Sequence, residues 1–276
     1  MSNGDELSLT SDGRIAIITI NRPRKLNALT GSLYVALGEL LRQIDERDDI
    51  IVTVLTGTGR FFSAGADISA GSLEDDANSK KNPRLAALDS FAAVTLDVTR
   101  AFYQHRKILI AALNGPVVGL SAALIALADF IYAAPHTYLL TPFSSIGSLA
   151  EGASSRTFVQ RLRLGKANEA LIMGKRIACD ELVVSGFINK VISPESGRRN
   201  DSSVFFEDVL NEVKESLGTH LNDSSILAIK ELIRRPEREI LDQQNLLEVF
   251  AGTERFTKGI VQASFKALAS GARHKL

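Results

Sequence analysis

Hydrophobic residues along this chain fall into two patterns: short unbroken apolar runs, and longer stretches in which they return every three or four positions. Arg14-Ile15-Ala16-Ile17-Ile18-Thr19-Ile20, the run 50–55 and the run 108–113 are of the first kind, β-branched and closed by turn formers such as Asn21-Arg22-Pro23 and Thr56-Gly57-Thr58-Gly59. They predict strands, with two shorter ones at 129–134 and 137–140. Between them, Leu33, Leu37, Leu40, Leu41 and Ile44 recur at helical spacing up to Glu46-Arg47-Asp48-Asp49. The same periodicity predicts a long helix over 84–106, a buried helix within 117–128, and helices over 151–162 and 166–173. After a turn-rich, charged segment at 193–202 only helical patterns remain, at 204–217, 224–235 and 238–269. Strands spaced by helices imply an α/β class built from strand-helix crossovers, divided here into a core over 1–195 and a helical C-terminal lobe over 196–276.

Leu113-Asn114-Gly115-Pro116-Val117-Val118-Gly119-Leu120-Ser121 reads as strand, tight turn and helix start. Amides at a helix start have no partner inside the helix and sit at the positive end of its dipole, so they suit an anionic oxygen. Leu120 is the amide this reading selects. Further on, Ser144-Ser145-Ile146-Gly147-Ser148-Leu149-Ala150-Glu151-Gly152 carries a single acid, which makes Glu151 a candidate base. The competing reading of Glu151 is an acid favoured by the dipole of a helix that begins there. Asp129, at the end of an apolar helix, reads as a packing or capping residue.

Charge and composition then exclude other classes. With 32 basic against 32 acidic residues the net charge is +0, leaving no electrostatic footprint for nucleic acid or an anionic membrane. The apolar stretch 117–128 is short of the roughly 20 residues that span a bilayer. One cysteine, Cys179, permits no internal disulfide and fits a reducing compartment. His105, His136 and His220 lack metal-ligand spacing and a nearby nucleophile motif, and the glycines form no phosphate loop, so no metal or redox cofactor is expected. The polar, acidic start lacks the features of a signal peptide, and His274-Lys275-Leu276 is similar to the peroxisomal Ser-Lys-Leu address.

The segments Phe61-Phe62-Ser63-Ala64-Gly65-Ala66-Asp67-Ile68 and Asn114 through Ser121 resemble those of the enoyl-CoA hydratase/isomerase family, the crotonase superfamily, and the likeness runs from residue 14 to 164. Gly119-Leu120-Ser121-Ala122-Ala123-Leu124, Tyr138-Leu139-Leu140 and Glu151-Gly152 together are most similar to the fungal peroxisomal Δ3,Δ2-enoyl-CoA isomerases. The resemblance implies a crotonase-like spiral core of repeated ββα units, a C-terminal lobe serving trimerisation, a trimer or hexamer, and a peroxisomal location with an import receptor reading the last three residues. It implies an acyl-CoA substrate and no separate cofactor, since coenzyme A belongs to the substrate. The thioester oxygen would lie between the amides of Ala66 and Leu120, and Glu151 would carry a proton from C2 to C4 in the β-oxidation of unsaturated chains. Arg24, Lys25, Ala28, Ala64, Gly65, Asp67 and Ile68 would meet the substrate, the two cations suiting its phosphates; Asp67 reads equally as a loop aspartate bonding nearby backbone. The paired glutamates of hydratases fall on Ala123 and Phe143, which disfavours hydration and the dienoyl-CoA isomerase variant, and an asparagine that holds the glutamate in some fungal isomerases falls on Thr95. A hydratase or other CoA-ester enzyme, and a catalytically silent acyl-CoA-binding protein, are the alternatives.

Overall fold

The computed structural model describes residues 6–67, 82–193 and 201–269; Ile68, the expected division at 195/196 and His274-Lys275-Leu276 lie outside them. Strands β1 (Leu7–Asp12) and β2 (Ile15–Ile20) form an antiparallel hairpin turned at Gly13, whose φ of +57° suits a residue without a Cβ. β1 carries no apolar run, because it is an edge strand whose second half faces solvent. A short 3₁₀ turn, Pro23–Lys25, leads to α1 (Gly31–Asp45), capped by Thr30 accepting from the Leu33 amide. β3 (Val52–Gly57) follows.

The expected helix over 84–106 is α2 (Pro83–Ala87), a π-helical turn (Leu88–Ala92) and α3 (Ala93–Gln104) in unbroken succession. Next come β4 (Ile108–Leu113), β5 (Val117–Val118), α4 (Gly119–Ile125), β6 (Phe130–Ala133) and β7 (Tyr138–Leu140). The helices expected at 151–162 and 166–173 are the two parts of α5 (Ser154–Leu171), which are separated at Arg163, where φ of +62° and ψ of 158° are not helical; the first part starts three residues after Glu151. β8 (Ile177–Ala178), α6 (Cys179–Ser185) and β9 (Lys190–Val191) are too short for periodicity to reveal. The last stretch is α7 (Ser202–Ser216), α8 (Asp223–Arg234), α9 (Arg238–Thr257) and α10 (Ile260–Ala269), the final pair separated at Gly259, where φ is +71°.

Six strands form the main sheet in the order β1-β2-β3-β4-β6-β9, parallel throughout except for β1 against β2. Parallel strands covered on both faces must be apolar on both, which is why β3 and β4 read as continuous runs. Along β2, Ala16, Ile18 and Ile20 join one core with α1, α3 and α4, while Ile15 and Ile17 join a second with Phe205, Val209 and Val213 of α7. A small sheet, β5-β7-β8, lies beside it. In a parallel sheet the carboxyl ends of β2, β3 and β4 share one edge, so the loops that follow them, around 21–29, 58–67 and 114–118, emerge together. Ligands bind at that edge in open α/β sheets.

Candidate functional site

Two buried asparagines fasten these loops to each other. Asn27, itself in the left-handed region at φ +56°, accepts from the Arg22 amide at 2.8 Å and donates to the carbonyls of Thr58 (2.8 Å) and Phe61 (2.7 Å). Asn114 accepts from Gly57 N and donates to the Gly59 and Phe61 carbonyls. Backbone bonds complete the join: Ala64 N donates to Leu26 O, Leu29 N to Gly65 O, and Asp67 N to Leu29 O. Leu29 and Ala66 therefore form a parallel bridge. In such a bridge the residue flanked by the two bonded groups turns its own N–H the other way, so the Ala66 amide faces away from Leu29.

On that other side lies the start of α4. Val118 N donates to Ser63 O at 2.9 Å, and Ser63 and Val117 form a second parallel bridge. Gly65 has φ +87°, and a Cβ there would stand 2.9 Å from Val118 O. Only glycine allows this approach. Leu120 is the second residue of α4, in the first turn, whose amides have no acceptor within the helix. Buried hydroxyls brace the arrangement: Ser63 Oγ and Ser121 Oγ are 2.8 Å apart, Ser121 Oγ lies 3.0 Å from Tyr34 Oη, and Ser63 Oγ donates to Asn27 O. The loop carrying Ala66 and the helix carrying Leu120 are thus joined by backbone and side chains.

Glu151 reaches the same helix through its neighbour. At Gly152, φ is +69°, and a Cβ would stand 2.7 Å from Ala123 Cβ and 3.1 Å from Leu120 Cδ1. The turn bearing the acid is seated on the helix bearing the candidate amide, and Ala123 has to be small for that seating. The Glu151 carboxyl is pushed up from 4.5 to about 8, first by loss of hydration and second by the negative charge of Glu248. Its side chain keeps partial solvent access. Leu149, two residues before it, is 37% exposed. The helix-terminal reading fails on position, because α5 begins at Ser154.

Glu248 was not selected from the sequence. It lies on α9 and accepts from Ala153 N (2.7 Å), Ser155 N (2.8 Å) and Ser155 Oγ (2.5 Å). The available signal is an inverted stripe: Leu241, Asn245, Glu248 and Gly252 share one helical face and are buried, whereas Leu246, Leu247 and Phe250 are exposed.

The remaining candidates divide clearly. Arg24 and Lys25 are exposed on the 3₁₀ turn, and Ala28 is buried beside the 64–67 loop. Asp67 is buried and ion-paired with Arg22 at 3.1 Å, closing the same two loops together. Ala123, Phe143 and Thr95 are buried. His105 is sealed between Asp45 and a fully buried Thr53, and His136 and His220 are exposed. Cys179 is partly buried against the core. Among the described residues no cluster of three acids, histidines or cysteines could hold a metal, and no helix is long and apolar enough to cross a membrane.

Comparison with known proteins adds to this geometry. The family described as "Enoyl-CoA hydratase/isomerase" matches residues 10–235. The chain is 53% identical over 270 residues to the Delta(3,5)-Delta(2,4)-dienoyl-CoA isomerase of Pyricularia oryzae, covering 96% of each. It is 34% identical to the 3,2-trans-enoyl-CoA isomerase of Saccharomyces cerevisiae, over 99% of this chain and 97% of that one. An enoyl-CoA hydratase/isomerase structure from Pseudoalteromonas atlantica T6c shares the fold with a TM-score of 0.82 at 23% identity, covering 98% of this chain and 99% of its own.

Proposed function

Because this chain belongs to the enoyl-CoA hydratase/isomerase family, we propose that it is an enoyl-CoA isomerase that moves the double bond of a 3-enoyl-CoA to the 2-trans position, with Glu151 as its acid-base group. The observation that carries this reading is an acid whose turn, through Gly152, sits directly on the helix of Leu120. Glu151 takes a proton from C2; the C–H electron pair moves toward the thioester, and its oxygen gains negative charge between the amides of Ala66 and Leu120. Preorganised donors at such an oxygen are each worth about 3 kcal/mol. Glu151 then returns the proton at C4, leaving the bond between C2 and C3. Atoms balance without water, electrons or a metal, so the reaction needs no cofactor besides the coenzyme A of its substrate.

Arg24 and Lys25 would face the phosphates of the nucleotide, while Ala28, Ala64, Gly65 and Asp67 would line the thioester's approach. Hydration is disfavoured because Ala123 and Phe143 carry no proton, and the other nearby acid, Glu248, already has three donors on it. Placement in β-oxidation of unsaturated chains, a peroxisomal location addressed by His274-Lys275-Leu276, and a trimer or hexamer are parts of the same proposal.

The name of the Pyricularia oryzae relative favours a second substrate, a 3,5-dienoyl-CoA. Deprotonation at C2 would be shared, but the proton would have to return at C6, two carbons further than one carboxylate serves most easily. Incubating the protein with 3-enoyl-, 3,5-dienoyl- and 2-enoyl-CoA, beside Glu151→Gln, separates the readings. The expected result is fast conversion of the first, slower conversion of the second and little hydration of the third, with activity lost by roughly 10²- to 10⁴-fold in the variant. Wild-type rates in Glu151→Gln would reject Glu151 as the acid-base group. Absence of turnover with all three would favour a silent binding protein.

A further inference from the structure

The turn that carries Glu151 is closed by one backbone bond of its own, Ser154 N donating to Glu151 O at 3.2 Å. Gly152 and Ala153 both have positive φ, +69° and +58°, and for alanine that conformation costs on the order of 1 kcal/mol. The N-cap of α5 is this same Ala153, whose side chain has no acceptor for the free amides of the first turn. The acceptor arrives from 95 residues further along the chain: one Glu248 oxygen takes Ala153 N, the other takes Ser155 N and Ser155 Oγ. Gln244, one turn earlier on α9, donates to Ser155 Oγ at 2.7 Å and steadies the same point. Glu248 is 6% exposed, so these bonds are shielded from water.

We propose that Glu248 is a positioning residue for this site: from α9 it holds the turn 151–155 on α4 and, in its ionised form, sets a negative charge against Glu151. This rests on the reading of Glu151 as the acid-base group. The ionisable groups that face Glu151 among the described residues are Glu248, from α9, and the phenol of Tyr34, from α1. Burial pushes the Glu248 carboxyl above its ordinary value, and the three donors on it work against that push in favour of the ionised form. A like charge across the turn raises the proton affinity of Glu151, and Tyr34, neutral well beyond physiological pH, leaves that effect uncancelled.

Three variants test it, with kcat and KM for a 3-enoyl-CoA measured against pH and the Glu151 carboxyl titrated by carbon NMR in the substrate-free protein. Glu248→Gln removes the charge but keeps the volume: the acid limb of kcat and the Glu151 titration should both move down by about one pH unit, with kcat lowered about tenfold and KM within threefold. Glu248→Asp keeps the charge but cannot span all three donors, so kcat should fall while the limb stays near the wild-type position. A role in folding alone would lower the active fraction without moving the titration. A folded Glu248→Gln with wild-type kcat and an unmoved limb overturns the proposal. Should that variant not fold, Glu248→Asp decides, since wild-type kcat there also overturns it. Glu151→Gln separates the two claims: if it keeps full activity the reading of Glu151 falls, while the NMR titration still decides whether Glu248 acts on it.

Discussion

Glu151 makes the clearest pH prediction at the scale of one residue. Its carboxyl titrates near 8 in the folded protein against 4.5 for an ordinary glutamate. Below pH 4.5 both folded and unfolded chains hold the proton; between 4.5 and about 8 the unfolded chain releases it first, so the folded state binds more protons and loses stability as pH rises. Glu151→Gln should therefore stabilise the protein at pH 8 by on the order of 2 kcal/mol, after allowance for the partial exposure of the acid, and change little at pH 4. Denaturant titrations at the two pH values check this. The wild-type rate should climb with pH toward 8, because the base form takes the proton from C2. Two glycines set the surrounding geometry. Gly65→Ala forces a Cβ to 2.9 Å from Val118 O at a left-handed φ, and backbone cannot retreat as a side-chain end can. We expect a loss of about 1–3 kcal/mol in stability and roughly 10²-fold in kcat as the Ala66 amide moves from Leu120.

Among elements, α4 and the loop before it depend on the chain Tyr34–Ser121–Ser63. Ser121→Ala leaves Tyr34 and Ser63 short of a buried partner and should cost about 1–3 kcal/mol; a double-mutant cycle with Ser63→Ala should show coupling between the two. Helix α8 is held differently. None of its residues is buried, yet Lys230 and Arg234 meet Asp129 at 2.7 and 2.8 Å, and Asp129 also accepts from Leu109 N at the sheet. Asp129→Asn leaves two cations without their counter-charge and should destabilise by about 3–5 kcal/mol in a urea titration at pH 7. The two positive neighbours and the Leu109 amide outweigh burial and hold the Asp129 carboxyl below its usual value, so its contribution is present above about pH 4 and is lost as pH falls further. Elements whose signal is local were legible in the sequence: the β-branched run of β2, the Asn-Gly-Pro turn before α4, the heptad-like stripe of α1. Glu248 and Asn27 were not, because each acts on residues far along the chain and neither belongs to a local motif. The two-residue strands β8 and β9 have no room to show a period.

For the whole molecule, the parallel sheet decides where chemistry can occur, since it delivers three loops to one edge, and α4 starts directly after the third of them. Helices α8 and α9 each carry exposed apolar side chains, with Leu232 70%, Ile233 67% and Phe250 45% exposed. Side chains of this kind suit an interface, and the proposed homo-oligomer would cover them. Leu232→Glu with Phe250→Glu should shift the protein toward monomer in light scattering while leaving its circular dichroism unchanged; an unaltered mass would place any interface elsewhere. Proton transfer by Glu151 depends on atomic positions, which a crystal structure with a saturated, unreactive acyl-CoA would show. The thioester oxygen should lie roughly 2.7–3.1 Å from both Ala66 N and Leu120 N, with a Glu151 oxygen against C2. A thioester bound outside those two amides, or a Glu151 side chain turned from the acyl group, would contradict it.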